Sequence, residues 1–205
     1  MTRHLVIFAR APQAGRVKRR LAQEIGTMAA ARFYRATLER QIVRLARDSR
    51  WTLWLFVTPD DALIHPAWRR VPATRRKPQG LGDLGLRMKV PFLVLPPGPV
   101  VLVGSDIPGL EPRHLARAFR LLGQHDLVLG PASDGGFWLF GARRSRPLPR
   151  ALFAQARWST AHALADTLAT IPPTHSVALA DTLDDIDDAR DLRRYLAGRL
   201  FRCRT

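Results

Sequence analysis

Four short segments of this 205-residue chain hold residues whose chemistry their local surroundings do not explain. The first runs Ala9-Arg10-Ala11-Pro12-Gln13-Ala14-Gly15-Arg16-Val17-Lys18-Arg19-Arg20-Leu21. A strand-like run feeds a small-residue loop and then a helix whose first turn is cationic, although cations there oppose the helix dipole. A polyphosphate accounts for them, because backbone N–H groups with Lys18 and Arg20 would converge on it. A basic helix end exposed to water is the plainer account. The second is Asp106, directly after the apolar run Val100–Val103. A carboxylate at the end of a buried strand is costly unless a cation or hydrogen bonds hold it. Magnesium or manganese bridging to substrate phosphates suits it, since hard cations take oxygen ligands. Capping of the loop by neighbouring N–H groups is the alternative.

The third segment, Asp134-Gly135-Gly136, reads as a hairpin turn. It also puts a carboxylate beside backbone that a ligand can approach closely, so that Asp134 could orient or deprotonate an acceptor hydroxyl. The fourth is Leu183-Asp184-Asp185-Ile186-Asp187-Asp188-Ala189-Arg190-Asp191-Leu192, a dense acidic cluster in a basic protein. Helix caps account for one or two of these aspartates. So many together raise a mutual repulsion that a bound cation would relieve, which makes Asp187 a candidate second ligand beside Asp106. Trp158-Ser159-Thr160 fits a helix cap with a packing tryptophan. No Ser–His–Asp or Cys–His arrangement stands out.

The elements that must position these segments alternate between strand-like and helical runs, which predicts an α/β fold with a mainly parallel sheet. Strands are expected at 4–9, 51–57, 71–75, 99–103, 127–130, 136–141 and 177–179. Helices are expected from Val17 to Gly26, and from a Thr27 cap with Ala31, Tyr34, Leu38, Ile42 and Leu45 inward. A glycine-rich loop, Gln79 to Gly85, leads into a helix from Leu84 that Pro91, Pro96 and Pro97 should bend or end early. Further helices are expected from Pro112, from Ser159 or Thr160 to Thr170, and from Asp187 or Asp188 with Leu192, Leu196 and Leu200 inward. No repeat or linker interrupts residues 1–205, so a single domain is expected. In such sheets ligands bind beyond the carboxyl ends of the strands, where all four segments fall.

Composition narrows the function classes. The formal charge of +16 invites a nucleic-acid partner, but the 33 basic residues are almost all arginine and spread over helix faces such as Arg32, Arg35, Arg40, Arg44 and Arg47. That pattern is a solvated surface that draws in an anionic small substrate, rather than one basic stripe. The longest apolar runs are strand-length, which argues against a membrane span. Cys203 is the only cysteine, and no leader precedes the first strand, so a reducing cytoplasm is expected.

In this order the segments resemble a bacterial family of GT-A-like transferases, long catalogued as a domain of unknown function and including arsenosugar-biosynthesis glycosyltransferases. The resemblance rests on Phe8 to Pro12 with Gly15, Lys18 and Arg20; on Gln79 to Gly85 with Arg87-Met88; on Gly104-Ser105-Asp106; on Gly130-Pro131-Ala132 with Asp134 to Gly136; on Trp158 to Thr160; and on Asp185 to Asp187. It is more distantly similar to 2-phospho-L-lactate and molybdenum cofactor guanylyltransferases. The resemblance implies a nucleotide-diphospho-sugar transferase fold, Rossmann-like, with helices on both faces of the sheet. It implies a nucleotide or nucleotide-sugar donor at Ala9, Ala11, Gly15, Lys18, Arg20, Gly80 and Asp83. Magnesium or manganese would sit on Asp106 and Asp187, with a small acceptor at Asp134, Gly135, Gly136, Trp158 and Ser159. Arg19, Ser133, Pro91 and Asp188-Ala189 depart from the family pattern. A glycosyltransferase, a nucleotidyltransferase that releases pyrophosphate, and a non-catalytic nucleotide- or nucleic-acid-binding protein are the three readings.

Overall fold

Among the described residues seven strands build one sheet: β1 (His4–Arg10), β2 (Thr52–Thr58), β3 (Arg75–Pro78), β4 (Val100–Gly104), β5 (Leu127–Pro131), β6 (Phe137–Ala142) and β7 (Val177–Leu179). This computed structural model describes residues 1–64, 66, 68 and 75–202, the last five as backbone alone. The strand order is β3-β2-β1-β4-β6-β5-β7. Only β6 is antiparallel to its neighbours; the other pairings are all parallel.

Among the described residues six α-helices cover the two faces: α1 (Arg19–Ile25), α2 (Thr27–Ala46), α3 (Leu84–Val94), α4 (Pro112–Leu121), α5 (Ala163–Ala169) and α6 (Ala189–Arg202). Side chains alternate across a strand, so one strand feeds two cores. Leu5 and Ile7 of β1 pack with Leu38, Ile42 and Leu45 of α2 and with Leu115 and Phe119 of α4. Val6, between them, packs on the other face with Met88 and Phe92 of α3. Central strands buried on both faces read as unbroken apolar runs, as β1 and β4 do. Among the described residues no helix is long and apolar enough to cross a membrane.

Several boundaries differ from the sequence reading. The third strand lies at Arg75–Pro78, where Gln79 then stitches its end; residues 71–74 of the expected strand lie outside the described residues. Gly26 caps α2 and Thr27 is its first residue. α3 runs through Pro91 to Val94, because Pro91 is itself buried beside Met88 and Phe92 and sacrifices only one backbone bond. α5 begins at Ala163 rather than Ser159 or Thr160. There Thr160 caps a preceding turn, its hydroxyl accepting from His162 N–H at 3.2 Å. In α6, Leu196 faces outward and is 49% exposed, whereas Ala189 is buried and Leu192 packs beside it. The side chain of Leu200 lies outside the described residues.

Candidate active site

Since β1, β4, β5 and β7 run the same way, the loops that follow them share one rim of the sheet. All four chemically unusual segments therefore converge. Phe8 pairs with Gly104, so the loop after β1 lies against Ser105 and Asp106. Tyr34 of α2 locks the two strand ends together. Its hydroxyl accepts from Arg10 N–H at 2.9 Å, donates to Arg10 C=O at 3.0 Å and lies 2.9 Å from Ser105 Oγ. Burial pushes the Tyr34 hydroxyl up to about 12, so it stays protonated as a fastener.

The acidic arm after β7 is pinned by one apolar residue. Ile186 is buried with Leu21, Ala30 and Ala189, and its N–H donates to Asp106 C=O at 3.3 Å. Neighbouring side chains leave an open chain on opposite sides. Burying Ile186 therefore turns Asp185 and Asp187 the other way, toward Asp106. One carboxylate oxygen from each of the three lies within 4.8 Å of the others.

Lys18 fills the middle of this group. Its Nζ is 2.6 Å from Asp106, 2.7 Å from Asp187 and 3.8 Å from Asp185, and its side chain is only 4% exposed. The residue caps α1 in the left-handed region at φ 46°, a conformation that costs a non-glycine residue about 1–2 kcal/mol. The ion pairs hold it there. Burial alone would lower the Lys18 ammonium, but Asp106, Asp187 and Asp185 outweigh it and keep it above its ordinary value. The carboxyl of Asp185 is pushed up to about 7, by burial first and then by the charge of Asp106. Lys18 opposes that shift, while Asp187 and Asp134 add to it.

The three aspartates open into a cavity of about 290 Å³ that Arg20, Asp134, Gly136, Trp158 and Ser159 also line. Asp134 Oδ1 accepts Gly136 N–H at 2.9 Å, which fixes the carboxylate at the cavity wall. Gly135 is obligatory in this turn. It sits at φ +85°, and a Cβ there would collide with the Ala161 carbonyl. Phe137 and Trp158 meet edge to face at 6.1 Å between ring centres. Gly85 lets α3 approach that aromatic wall, for a Cβ would come within 2.7 Å of Phe153.

Residues 37–160 match the family model described as an uncharacterized protein conserved in bacteria, DUF2064. This chain belongs to that family. The DUF2064 chain is 30% identical to a Desulfovibrio desulfuricans protein provisionally named a nucleotide-diphospho-sugar transferase. The two superpose with a TM-score of 0.86 over 94% of this chain and 85% of the other. CMP:2-keto-3-deoxy-manno-octonic acid synthetase, solved with CTP, has a TM-score of 0.58 at 10% identity, covering 98% and 100% of the two chains. Glucosyl-3-phosphoglycerate synthase from Mycobacterium tuberculosis, solved with manganese, UDP and glucosyl-3-phosphoglycerate, has a TM-score of 0.54 at 14% identity, over 98% and 80%. No protein of curated function matches in sequence. The fold is that of the nucleotide-diphospho-sugar transferases.

Of the remaining expected site residues of this DUF2064 chain, Ala9, Ala11, Gly15, Gly80 and Asp83 do not line the cavity. Ala9 and Ala11 are buried, and Ala9 C=O accepts Gln79 Nε2 at 3.3 Å. Gly15 lines a separate groove of about 350 Å³ with Arg10, Ala11, Arg16 and Arg19. Gly80 N–H donates to Asp60 at 3.2 Å, and Asp83 caps α3 by accepting Leu86 N–H at 2.8 Å. Lys18, expected on phosphates, lies 2.6 Å from Asp106 and 2.7 Å from Asp187. Arg20 lies at the cavity mouth, 71% exposed, and pairs loosely with Asp187 at 3.9 Å.

The sequence reading did not assign Asp185 to the metal group. The signal was available: two acids spaced by one apolar residue. Within the acidic cluster the sequence singles out Asp187 alone, and the structure gives the other members distinct partners. Asp188 accepts from Arg190 and Asp191 N–H at 2.8 and 3.0 Å, and so begins α6. Asp184 accepts from Ser133 N–H at 2.8 Å and from its hydroxyl at 3.1 Å.

Proposed function

We propose that this chain is a metal-dependent glycosyltransferase acting from a nucleotide diphosphate sugar onto a small acceptor. The observation that carries the reading is the group Asp106, Asp185 and Asp187, whose ligand oxygens lie within 4.8 Å of one another. Three hard carboxylate donors suit magnesium or manganese. Lys18 already marks the place as one for a cation, and its single ammonium is shared among three acids. A metal bound there would neutralise the charge that develops on a departing nucleoside diphosphate.

The chain's own residues supply the rest. Asp106, Asp185 and Asp187 would hold the ion, and Arg20 at the cavity mouth would face the donor's phosphates. Asp134, fixed by Gly136 N–H, receives the acceptor hydroxyl. The glucosyl-3-phosphoglycerate synthase complex, with manganese and UDP in this fold, supports the reading by analogy. A nucleotide donor and a lone cysteine, Cys203, suit a cytoplasmic enzyme.

A nucleotidyltransferase is the second reading. The groove with Arg10, Arg16 and Arg19 favours it, because it offers cations to a longer phosphate chain than a diphosphate. Product analysis separates the two: free nucleoside diphosphate from a nucleotide sugar supports the first, and pyrophosphate from a nucleoside triphosphate the second. Calorimetry with manganese tests the metal group directly. Asp106→Asn should abolish manganese-dependent nucleotide binding while the protein remains folded; unchanged affinity would remove Asp106 from the site. Binding without turnover in either assay would leave a non-catalytic nucleotide-binding protein.

A further inference from the structure

We propose that the acceptor is a small, uncharged alcohol that presents an apolar or ring face to the cavity, and not a phosphorylated or carboxylated molecule. The acceptor's role rests on the glycosyltransferase reading; its chemistry rests on the wall. Beyond the aspartates, that wall is built from Phe8, Leu84, Met88, Leu102, Phe137 and Trp158. Phe8, Phe137 and Trp158 are only half-buried, so they hold apolar surface open for something to cover. Such surface favours an apolar partner.

Charge points the same way. Arg20 is the one cation among the residues lining the cavity, and it stands at the metal side near Asp187. Arginines close in sequence are already engaged: Arg157 forms two bonds of 2.8 and 2.9 Å to Asp166, and Arg87 donates to Gln79 at 3.0 Å. Lys18 is already held by Asp106 and Asp187, and the divalent ion and Arg20 would face the donor's phosphates. An anionic acceptor would therefore meet Asp134 with no cation left to pair it, and burying it unpaired is costly. A neutral alcohol meets the rings with its carbon skeleton and Asp134 with its hydroxyl. Its oxygen then forms the bond to the anomeric carbon. The bond from that carbon to the phosphate oxygen breaks, its electron pair leaving with the nucleoside diphosphate, and the hydroxyl proton passes to the Asp134 carboxylate.

A matched pair of probes tests the proposal: benzyl alcohol and benzyl phosphate, titrated by calorimetry into protein loaded with magnesium and UDP or GDP. Benzyl alcohol should bind at least roughly tenfold more tightly, and Trp158→Ala should weaken it by about tenfold, the loss of one ring contact. Leu84→Arg, which plants a cation on the wall, should bring benzyl phosphate up to the alcohol or beyond it. That arm does not depend on Trp158→Ala remaining folded. A wild-type preference for benzyl phosphate, no binding of either probe, or indifference to both substitutions would overturn the proposal. Absent heats for magnesium and nucleotide, recorded first, would instead defeat the glycosyltransferase reading.

Discussion

Replacing Lys18 with methionine separates a cluster built for a metal from one built for a salt bridge. Methionine matches lysine in girth and, like it, is an L residue in a left-handed conformation, so the backbone strain at φ 46° is common to both proteins. What changes is charge. Three carboxylates at 2.6, 2.7 and 3.8 Å lose their ammonium. Removing one partner of a buried ion pair costs roughly 3–5 kcal/mol. Here Asp185 and Asp187 keep 37% and 51% of their side chains exposed, so solvent screens part of the repulsion. About 2–3 kcal/mol is the resulting expectation. In a chain of this size each kcal/mol moves Tm by about 2–4 °C, so the metal-free variant should melt roughly 4–12 °C below the wild type. Manganese at a hundred times its Kd stabilises by about 2.7 kcal/mol, which would erase most of the deficit. The rise on adding manganese should also be larger in the variant, because no ammonium competes with the ion. Scanning calorimetry with and without manganese reads both quantities. Equal metal-free melting, or an equal manganese response in the two proteins, would refute the idea that Lys18 holds a cation's place.

Three further outcomes follow from the same geometry, beside the Asp106→Asn result. Asp185→Asn should weaken manganese at least roughly tenfold by calorimetry, yet leave the metal-free Tm no lower, because it removes a like charge from a crowded group. Gly135→Ala should cost roughly 3 kcal/mol or more in a denaturant titration, given the left-handed φ and the clash with the Ala161 carbonyl. Asp126 accepts Ser176 N–H at 2.9 Å, and that bond holds its carboxyl below the ordinary value. Its stabilisation is therefore present above about pH 4 and lost as the pH falls through its folded-state value. Asp126→Asn should flatten the acid limb of a Tm-against-pH curve, and an unchanged limb would show that this carboxylate does not contribute.

Much of this architecture is legible in the chain because period and burial agree. The runs at β1 and β4 are apolar throughout, as strands covered on both faces must be, and the pattern Ala31, Tyr34, Leu38, Ile42, Leu45 has one buried face. Since ligands gather at the carboxyl rim of a parallel sheet, Asp106, Asp134 and Asp187 could be expected to meet. Partners were harder to read than places. The sequence shows that Lys18 is a cation beside a loop, but the left-handed turn that swings it onto carboxylates depends on tertiary contacts. Tyr34 looked like one more apolar position, because helical spacing reveals which face is buried and not that a hydroxyl there would join two strand ends. Pro91 misled for a related reason: packing around Met88 and Phe92 outweighs one lost backbone bond.

Ile186 has a consequence that reaches past the rim. It lies between two of the acids, Leu21 lies one turn beyond Lys18, and the two side chains share a small apolar knot with Ala30 and Ala189. The cation and two of its partners hang from that knot, so charge and packing here form one cooperative unit. Whatever occupies the rim will also tighten the far helix, α6, and slow exchange of its amide hydrogens. By the same linkage, a core substitution at Leu21 would register in a functional screen as a defect in metal affinity, although it touches no ligand.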